Sequence, residues 1–339
     1  MGQERARNRR PGASRRLAPI PQLDLEPLLA AVRARASGLG SSLHGELHWQ
    51  RVAHSGVELA RLSGGDPLVA FCFGLVHDAM RENDGHDPGH GPRAAALMRE
   101  LAGEGLLPLE AEALEALVLA CALHADGRVT DDPIIGACWD ADRLDLWRVG
   151  HVVDPELLST AEARRPERIA GARALTRSGF EWEALLRFAE AAPPRGTFWV
   201  EAGRLLAGSY AGESAERIAA EAGVTLFVDL TEEGELEPYG AERHVRFAVR
   251  DFTVAPPEVI EAVLDAIDAE LQRDGSVYVH CWGGCGRTGT IVSCWLARHG
   301  VAPEVALARY AAVSFAASGR PCPETEEQRA VVLAWPAGR

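Results

Sequence analysis

The chain of 339 residues is 47% hydrophobic and 25% charged, with a formal net charge of −14 at pH 7. These values are typical of a globular protein, and the length favours two domains. The acidic balance excludes non-specific binding to nucleic acid and to anionic membranes. The sequence contains no lysine, which excludes Schiff-base chemistry and a Walker-type phosphate loop.

The first 20 residues are rich in arginine, and we expect residues 1–20 to form a disordered tail. No apolar stretch of signal-peptide length follows them, and no later segment reaches the ~18 apolar residues that would span a membrane. The seven cysteines are scattered and odd in number, without a paired framework or zinc-type spacing. Together these features predict a protein of the reducing cytoplasm.

Residues 21–180 are predicted to form an all-α domain, because apolar residues recur at helical spacing and no strand pattern is present. The six helical segments lie at 23–35, 43–62, 68–78, 94–102, 109–124 and 134–145. A further helical stretch covers 156–192. It ends at Pro193-Pro-Arg-Gly196, which is typical of a domain boundary.

Imidazole and carboxylate groups recur within these helical segments. His77 and Asp78 stand together at the end of an apolar helix, where a buried carboxylate must be neutralised. His48 precedes this pair, and Asp142 follows it in a later helix within Asp-Ala-Asp-Arg-Leu-Asp. Side chains of these types suit a divalent metal ion.

The order of these four residues resembles the HD superfamily of metal-dependent phosphohydrolases, which implies that all four are metal ligands. Family members with two metal ions add two histidines between the His-Asp pair and the last Asp. His90 and His124 occupy that interval here. The resemblance therefore implies one or two divalent metal ions, of unidentified element, with a bridging hydroxide as nucleophile. For His90 a solvated loop position is the alternative.

Residues 195–336 are predicted to form an α/β domain, because strand and helix patterns alternate and such alternation places a central sheet between helices. The strand patterns lie at 198–200, 204–208, 225–230, 244–249 and 277–279. The helical patterns lie at 215–222, 256–271, 291–297, 303–313 and 324–333.

A glycine-rich loop follows the last of these strands and leads into a helix. Its sequence is His280-Cys281-Trp282-Gly283-Gly284-Cys285-Gly286-Arg287-Thr288. A strand, a glycine-rich bend and a helix start direct backbone N–H groups at one anion. Cys281 lies at the base of this loop, where a thiolate is stabilised, and Arg287 adds a planar fork for two phosphate oxygens. The loop is predicted to hold a phosphate-binding nucleophile.

This loop resembles that of the Cys-dependent protein tyrosine and dual-specificity phosphatases, and the resemblance covers about residues 195–335. It implies phosphomonoester hydrolysis through a cysteinyl-phosphate at Cys281, without a metal or other cofactor in this domain. It also implies that His280 fixes the loop and that the Thr288 hydroxyl assists departure of the thiolate. The implied phosphate-binding residues are Trp282, Gly283, Gly284, Cys285, Gly286 and Arg287. A structural cysteine after a core strand is the alternative.

Two further residues, Asp251 and Gln328, each have two interpretations. Cleavage needs an acid for the leaving oxygen, and the family carries an Asp about thirty residues before the Cys. Asp251 occupies that place, although a turn residue is the alternative. Gln328 resembles a residue that positions the hydrolytic water in some family members, or else belongs to a capped helix start. Cys285 lies four residues from Cys281, which predicts a reversible disulfide that protects the nucleophile.

Two assignments of the main function remain open. In the first, Cys281 hydrolyses a phosphorylated protein or a small phosphorylated metabolite, and the lack of basic residues at 282–286 weighs against phosphoinositides. In the second, the HD-type domain is the main catalyst and acts on a nucleotide or phosphodiester. The C-terminal domain would then be regulatory or a phosphate-binding module.

Overall fold

A computed structural model describes residues 23–201, 203–318 and 322–339 of the chain. The predicted arginine-rich tail lies outside these residues. Within the described ranges, the structure contains no helix that combines the length and the apolar character needed to span a bilayer.

The N-terminal region is all-α. Its helices are α1 (Leu25–Arg35), α2 (Glu46–Ser63), α3 (Pro67–Val76), α4 (His90–Gly103), α5 (Ala111–Leu123) and α6 (Pro133–Leu144). Each corresponds to one of the six predicted segments. Asp66 and Asp132 fix the starts of α3 and α6, since each carboxylate accepts two backbone N–H groups of the first turn and a proline follows. Helix α2 packs against both α3 and α6 around one apolar core.

The predicted helical stretch at 156–192 was wrong in extent. It forms two helices, α7 (Pro166–Ala174) and α8 (Trp182–Glu190), with short 3₁₀ turns before α7 and after it. Pro166 fixes the start of α7 because it has no N–H to donate to an earlier turn. The chain is extended at Ser178, which ends the helical run.

The C-terminal region is an α/β domain around a five-stranded mixed sheet. Its strands are β1 (Thr197–Glu201), β2 (Leu205–Gly208), β3 (Leu226–Asp229), β4 (His244–Arg246) and β5 (Val277–His280). Their order is β1-β2-β5-β3-β4, with β1 antiparallel to β2 and the other pairs parallel. The helices are α9 (Ala215–Ala222), α10 (Pro257–Leu271), α11 (Gly286–Arg298), α12 (Pro303–Ser318) and α13 (Glu326–Leu333).

Alternating side chains of the sheet bury two apolar layers. Val277 and Val279 of β5 belong to the layer that α10 and α11 cover, whereas Tyr278 belongs to the layer that α9 covers. Strand β5 is therefore central and covered on both faces. The carboxyl end of such a strand is where parallel sheets form their binding sites.

The two regions meet where α7 packs along α12 and α8 contacts β1. The approach is close because Gly171 of α7 has no side chain. A Cβ there would lie 3.3 Å from the Cβ of Ala312.

Candidate functional site

The loop between β5 and α11 is held from several sides. Gly284 has φ +65°, and a Cβ there would lie 2.4 Å from the carbonyl carbon of Gly208. The Tyr310 hydroxyl donates to the Gly284 carbonyl at 2.7 Å, and the Tyr210 N–H donates to the Trp282 carbonyl at 3.0 Å. These contacts from α12 and from the end of β2 give the loop one fixed shape.

Cys281 lies at the base of this loop and is 3% exposed. The hydroxyl oxygen of Thr288 is buried and has no partner among the described residues. Trp282 is 63% exposed and therefore stands at the mouth of the loop. The structure thus places a buried thiol below an open rim.

Arg287 is oriented by a carboxylate that the sequence analysis missed. Its Nη1 and Nη2 each donate to Glu235, at 2.7 Å, and Nη2 lies 3.2 Å from Oδ1 of Asp251. Burial alone would lower the pKa of Arg287, but the bonds to Glu235 and the charges of Cys281 and Asp251 raise it above its ordinary value. The Nε atom is buried without a partner among the described residues. That N–H remains for a bound anion.

Asp251 lies in the segment between β4 and α10, and its side chain is 43% exposed. The next residue, Phe252, has φ +55° and is 61% exposed. A side chain at positive φ is uncommon, so the backbone bends sharply just after the carboxylate. The structure brings Asp251 next to the arginine of the loop.

His280 is buried and bonded on both ring nitrogens. Its Nδ1 lies 3.2 Å from the Cys281 carbonyl oxygen, and its Nε2 lies 2.5 Å from the Tyr239 hydroxyl. Since a carbonyl can only accept, Nδ1–H donates and Nε2 accepts from Tyr239. Burial lowers the pKa of His280 to about 4. The ring is therefore neutral at pH 7 and ties the loop backbone to Tyr239.

Gln328 lies beside the loop, and a Cβ on Gly286 would lie 2.9 Å from its amide nitrogen. Its Oε1 accepts from the N–H of Thr325 at 3.1 Å, and the Thr325 hydroxyl accepts from the N–H of Gln328. This reciprocal pair caps the start of α13. The amide nitrogen donates to the Thr253 carbonyl at 3.2 Å, two residues from Asp251.

The predicted pairing of Cys285 with Cys281 was wrong. Cys285 forms a disulfide with Cys322, and Cys281 is free. The expectation of no paired cysteines is corrected by the same bond. The two partners are 37 residues apart and meet only because the segment before α13 folds over the loop.

A second cluster lies in the N-terminal region, where the six predicted metal ligands come together. Oδ2 of Asp78 lies 3.6 Å from Nε2 of His48 and 3.9 Å from Nε2 of His77. Oδ1 of Asp142 lies 3.4 Å and 3.8 Å from the same two nitrogens. Both carboxylates therefore lie beside the same two imidazole nitrogens.

The other oxygen of Asp78 faces the remaining two histidines. Its Oδ1 lies 3.3 Å from Nε2 of His90 and 3.5 Å from Nε2 of His124. Asp78 therefore stands between two sets of donors and presents one oxygen to each. His90, for which a loop position was the alternative, is the first residue of α4 and is buried.

Each of the four imidazoles uses Nδ1 for a protein acceptor and turns Nε2 inward. The acceptors are Asp145 for His48, two carbonyls of α3 for His77, the Asp87 carbonyl for His90 and the Cys121 carbonyl for His124. A metal-ligating histidine has this arrangement, because the outer bond fixes the ring and its tautomer. Burial lowers the pKa of His77 to about 3, so its ring is neutral, as a ligand must be. The donor set fits divalent metal ions.

His44 also belongs to this cluster and was missed. Its Nδ1 lies 2.8 Å from Oδ2 of Asp78. Arg148 approaches the same ring at 3.3 Å, and Arg81 reaches Oδ1 of Asp78 at 3.2 Å. His44 precedes His48 by four residues, which is about one helical turn, and this spacing could have indicated it.

Residues 194–330 match the family model described as Swiss Army Knife protein, DSP-PTPase phosphatase domain. The C-terminal region is therefore a phosphatase domain of the dual-specificity and protein tyrosine phosphatase type.

Several solved structures are similar to this chain over about the same share of its length. A mutant form of Tk-PTP is 25% identical, with a TM-score of 0.37, over 42% of this chain and 95% of that chain. Human DUSP28 is 24% identical, with a TM-score of 0.33, over 42% of this chain and 92% of that chain. P. aeruginosa TpbA, in a complex with pTyr, is 17% identical, with a TM-score of 0.32, over 42% and 92%.

Proposed function

We propose that the C-terminal domain hydrolyses phosphomonoesters, with Cys281 as the nucleophile. The observation that carries this proposal is the meeting of Asp251 and Arg287 beside the loop that holds the thiol, at 3.2 Å. A nucleophile, an anion cradle and an acid are the three parts that the reaction needs.

In the first step the Cys281 sulfur forms a bond to phosphorus as the bond to the leaving oxygen breaks. Arg287 and the loop N–H groups stabilise the charge on the equatorial oxygens. Asp251 gives its proton to the leaving oxygen. A water then attacks phosphorus and passes its proton to Asp251, while the P–S bond breaks and the Thr288 hydroxyl donates to the departing thiolate. Free thiolate and inorganic phosphate result.

The substrates we propose are a phosphorylated protein or a small phosphorylated metabolite. The open rim carries the exposed rings of Trp282 and Phe252, and segment 282–286 carries no basic side chain. An entrance with aromatic and no basic side chains suits a substrate with an uncharged or aromatic group next to the phosphate better than a polyphosphorylated headgroup. A cytoplasmic location and domains at 21–180 and 195–336 remain predictions.

Hydrolysis of an aryl phosphate tests this function. Wild type, Cys281→Ser and the control Cys294→Ser, a buried thiol on α11, are assayed with and without EDTA. We expect activity that survives EDTA, disappears in Cys281→Ser and persists in Cys294→Ser. Activity in Cys281→Ser equal to that of wild type would refute the assignment.

For the N-terminal region we propose an HD-type metal-dependent phosphohydrolase. The convergence of the predicted ligands, each imidazole already oriented through Nδ1, favours it. One ion would be held by His48, His77, Asp142 and Asp78, and a second by Asp78, His90 and His124. Divalent ions there would supply a hydroxide at neutral pH and neutralise a phosphate. Arg81 and Arg148 would bind and orient an anionic substrate beside them.

This second function is tested with bis(4-nitrophenyl) phosphate, a phosphodiester, in the Cys281→Ser background. We expect hydrolysis that needs added divalent metal and is lost in the His77→Ala/Asp78→Ala double variant. Suppose that this metal-dependent diester hydrolysis is seen and that the aryl phosphate assay shows no activity that depends on Cys281. The N-terminal region would then be the main catalyst, and the C-terminal domain would be regulatory or phosphate-binding. The absence of both metal binding and diester hydrolysis in this background would refute the proposal.

A further inference from the structure

A cavity of about 390 Å³ lies at the junction of the two regions, apart from both clusters described above. Its lining comes from α2, α7 and α8 on one side and from β1 and α12 on the other. Its size falls within the range of small-molecule pockets, which often lie between domains. The walls are apolar and aromatic, formed by Leu62, Phe188, Phe198, Trp199 and Val313.

The charges at this junction do not balance. Glu58 is buried and pairs with the buried Arg168 at 2.6 Å, so each neutralises the other. Arg61 lines the same cavity and has no carboxylate within ion-pair distance among the described residues. Its Nη2 donates to backbone carbonyls, including that of Ala191 at 2.7 Å, but Nε and Nη1 are buried without such a partner. The guanidinium also lies over the Phe188 ring, 4.7 Å from its centre.

A third arginine adds to this excess. Arg309 of α12 lines the neighbouring small cavities and makes no hydrogen bond or ion pair with any residue that the structure describes. The nearby carboxylate of Glu201 is bonded to Arg204 at 2.8 Å. Burial lowers the pKa of Arg309, and lowers that of Arg61 to about 10. His54 adds no charge of its own, since burial lowers its pKa to about 4 and the ring is neutral at pH 7.

Buried charges in proteins are normally paired, because removing an ion from water costs several kcal/mol. Among the described residues, Arg61 and Arg309 form no ion pair, and the nearby carboxylates of Glu58 and Glu201 are already bonded to other arginines. A further negative charge would therefore improve the charge balance of the junction. Arginine forks suit carboxylate, sulfonate and phosphate groups, and the aromatic walls suit a flat ring. A ligand that carries both an acidic group and a flat ring would match the charge and the aromatic walls of this cavity.

We propose that the junction cavity binds a small organic anion that carries an apolar ring, with the acidic group on Arg61 and the ring against the apolar side chains of Leu62, Phe198 and Val313. The site is independent of both proposed activities, since it shares none of their residues. It fits an effector or a further ligand held between the two domains.

Naphthalene-2-sulfonate is the probe for this site, and its binding to the full chain is followed by quenching of tryptophan fluorescence. We expect saturable binding with one equivalent per chain. Arg61→Gln removes the charge and should raise the dissociation constant at least tenfold. Leu62→Trp fills the cavity from its rim and should weaken binding as strongly, and the fold should tolerate it because Leu62 is 40% exposed.

Arg217→Gln is the matched control, since this arginine lies on the exposed face of α9 and should leave the dissociation constant unchanged. Thermal unfolding shows that each variant is folded, and Leu62→Trp alone decides the test if Arg61→Gln is not. Equal binding in wild type and in the folded cavity variants would overturn the proposal. Displacement of the probe by orthovanadate would also overturn it, because binding would then belong to the loop of Cys281.

Discussion

Arg287 and Glu235 form a two-point contact, in which Nη1 donates to Oε2 and Nη2 donates to Oε1, each at 2.7 Å. The pair fixes the plane of the guanidinium and leaves Nε directed elsewhere. The hydrogen bonds from Arg287 hold the pKa of Glu235 below its usual range, so the carboxylate stays charged. Glu235 touches no reacting atom and acts by positioning Arg287.

Glu235→Gln should lower kcat/KM for an aryl phosphate by about tenfold to a hundredfold, because it weakens charge-assisted bonds worth ~1.5–3 kcal/mol. If Glu235 positions Arg287, the variant should bind phosphate more weakly, which is measured as a higher KM and as weaker inhibition by orthovanadate. Its thermal stability should change little. Glu233→Gln, an exposed neighbour, is the control. An unchanged kcat/KM would show that Arg287 needs no carboxylate to hold it.

Asp251→Asn should lower kcat/KM for phenyl phosphate by about 10² to 10⁴, the usual contribution of a general acid, because kcat/KM reports the step in which the leaving oxygen is protonated. The loss should depend on the leaving group. It should be large for phenyl phosphate, whose leaving oxygen needs a proton, and small for 4-nitrophenyl phosphate. Steady-state rates with both substrates test this, with Glu258→Gln at the exposed start of α10 as control. Equal losses with the two substrates would exclude Asp251 as the acid.

Local spacing made part of this site predictable. Cys281 and Arg287 are six residues apart, so a strand, a tight loop and a helix start bring them together whatever the rest of the chain does. Glu235 is 52 residues from Arg287 and meets it only because β3 lies beside β5 in the sheet. The contact between Glu235 and Arg287 therefore could not be predicted from any local sequence pattern. The disulfide of Cys285 depends in the same way on a distant segment.

The proposed metal ligands were predictable from their order along the chain. His77 and Asp78 are adjacent, and the order of the remaining ligands along the chain was enough to select them. Their outer partners were not predicted, because backbone carbonyls such as that of Cys121 have no sequence signature. The division of 156–192 into two helices was also missed, since its apolar spacing continues through the break at Ser178.

Reduction of the Cys285–Cys322 bond should destabilise the C-terminal domain. Closing 37 residues in the unfolded chain is worth about 3–4 kcal/mol on the entropic account. Urea unfolding of wild type should therefore shift to lower concentrations in dithiothreitol. Cys322→Ser should already have the lower midpoint and show no further shift. Identical midpoints for wild type with and without reductant would mean that the bond adds no stability.

His280 should make stability depend on pH. Its pKa is about 4 in the folded chain, whereas that of a solvent-accessible histidine ring is 6.5, so the unfolded state binds a proton more readily. The contribution is fully present above about pH 6.5 and is lost as the pH falls towards 4, by ~3 kcal/mol in all.

His280→Asn keeps a donor for the Cys281 carbonyl and cannot titrate. Between pH 6.5 and 4, its free energy of unfolding should fall less steeply than that of wild type, by up to about 1.4 kcal/mol per pH unit. Urea unfolding at several pH values measures both slopes, and the other buried histidines contribute equally to each. Parallel slopes would show that His280 titrates normally.

The two oxygens of Asp78 predict two separable metal positions. Oδ1 faces His90 and His124, whereas Oδ2 faces the other two histidines. His124→Ala should therefore reduce the metal content from two equivalents per chain to about one, because only the Oδ1 position loses a ligand. Asp78→Asn should remove most metal from both positions, because each loses its shared carboxylate. Elemental analysis after dialysis against trace divalent metal gives the stoichiometry.

His86→Ala is the control for this series, since His86 is exposed in the same polar segment and makes no contact with Asp78. It should retain the metal content of wild type. Loss of all metal in His124→Ala, with the helical content unchanged by circular dichroism, would mean that the donors form one indivisible site. If Asp78→Asn keeps the metal content of wild type, the cluster binds no metal through this carboxylate. The main role of Asp78 would then be to accept the hydrogen bond from His44.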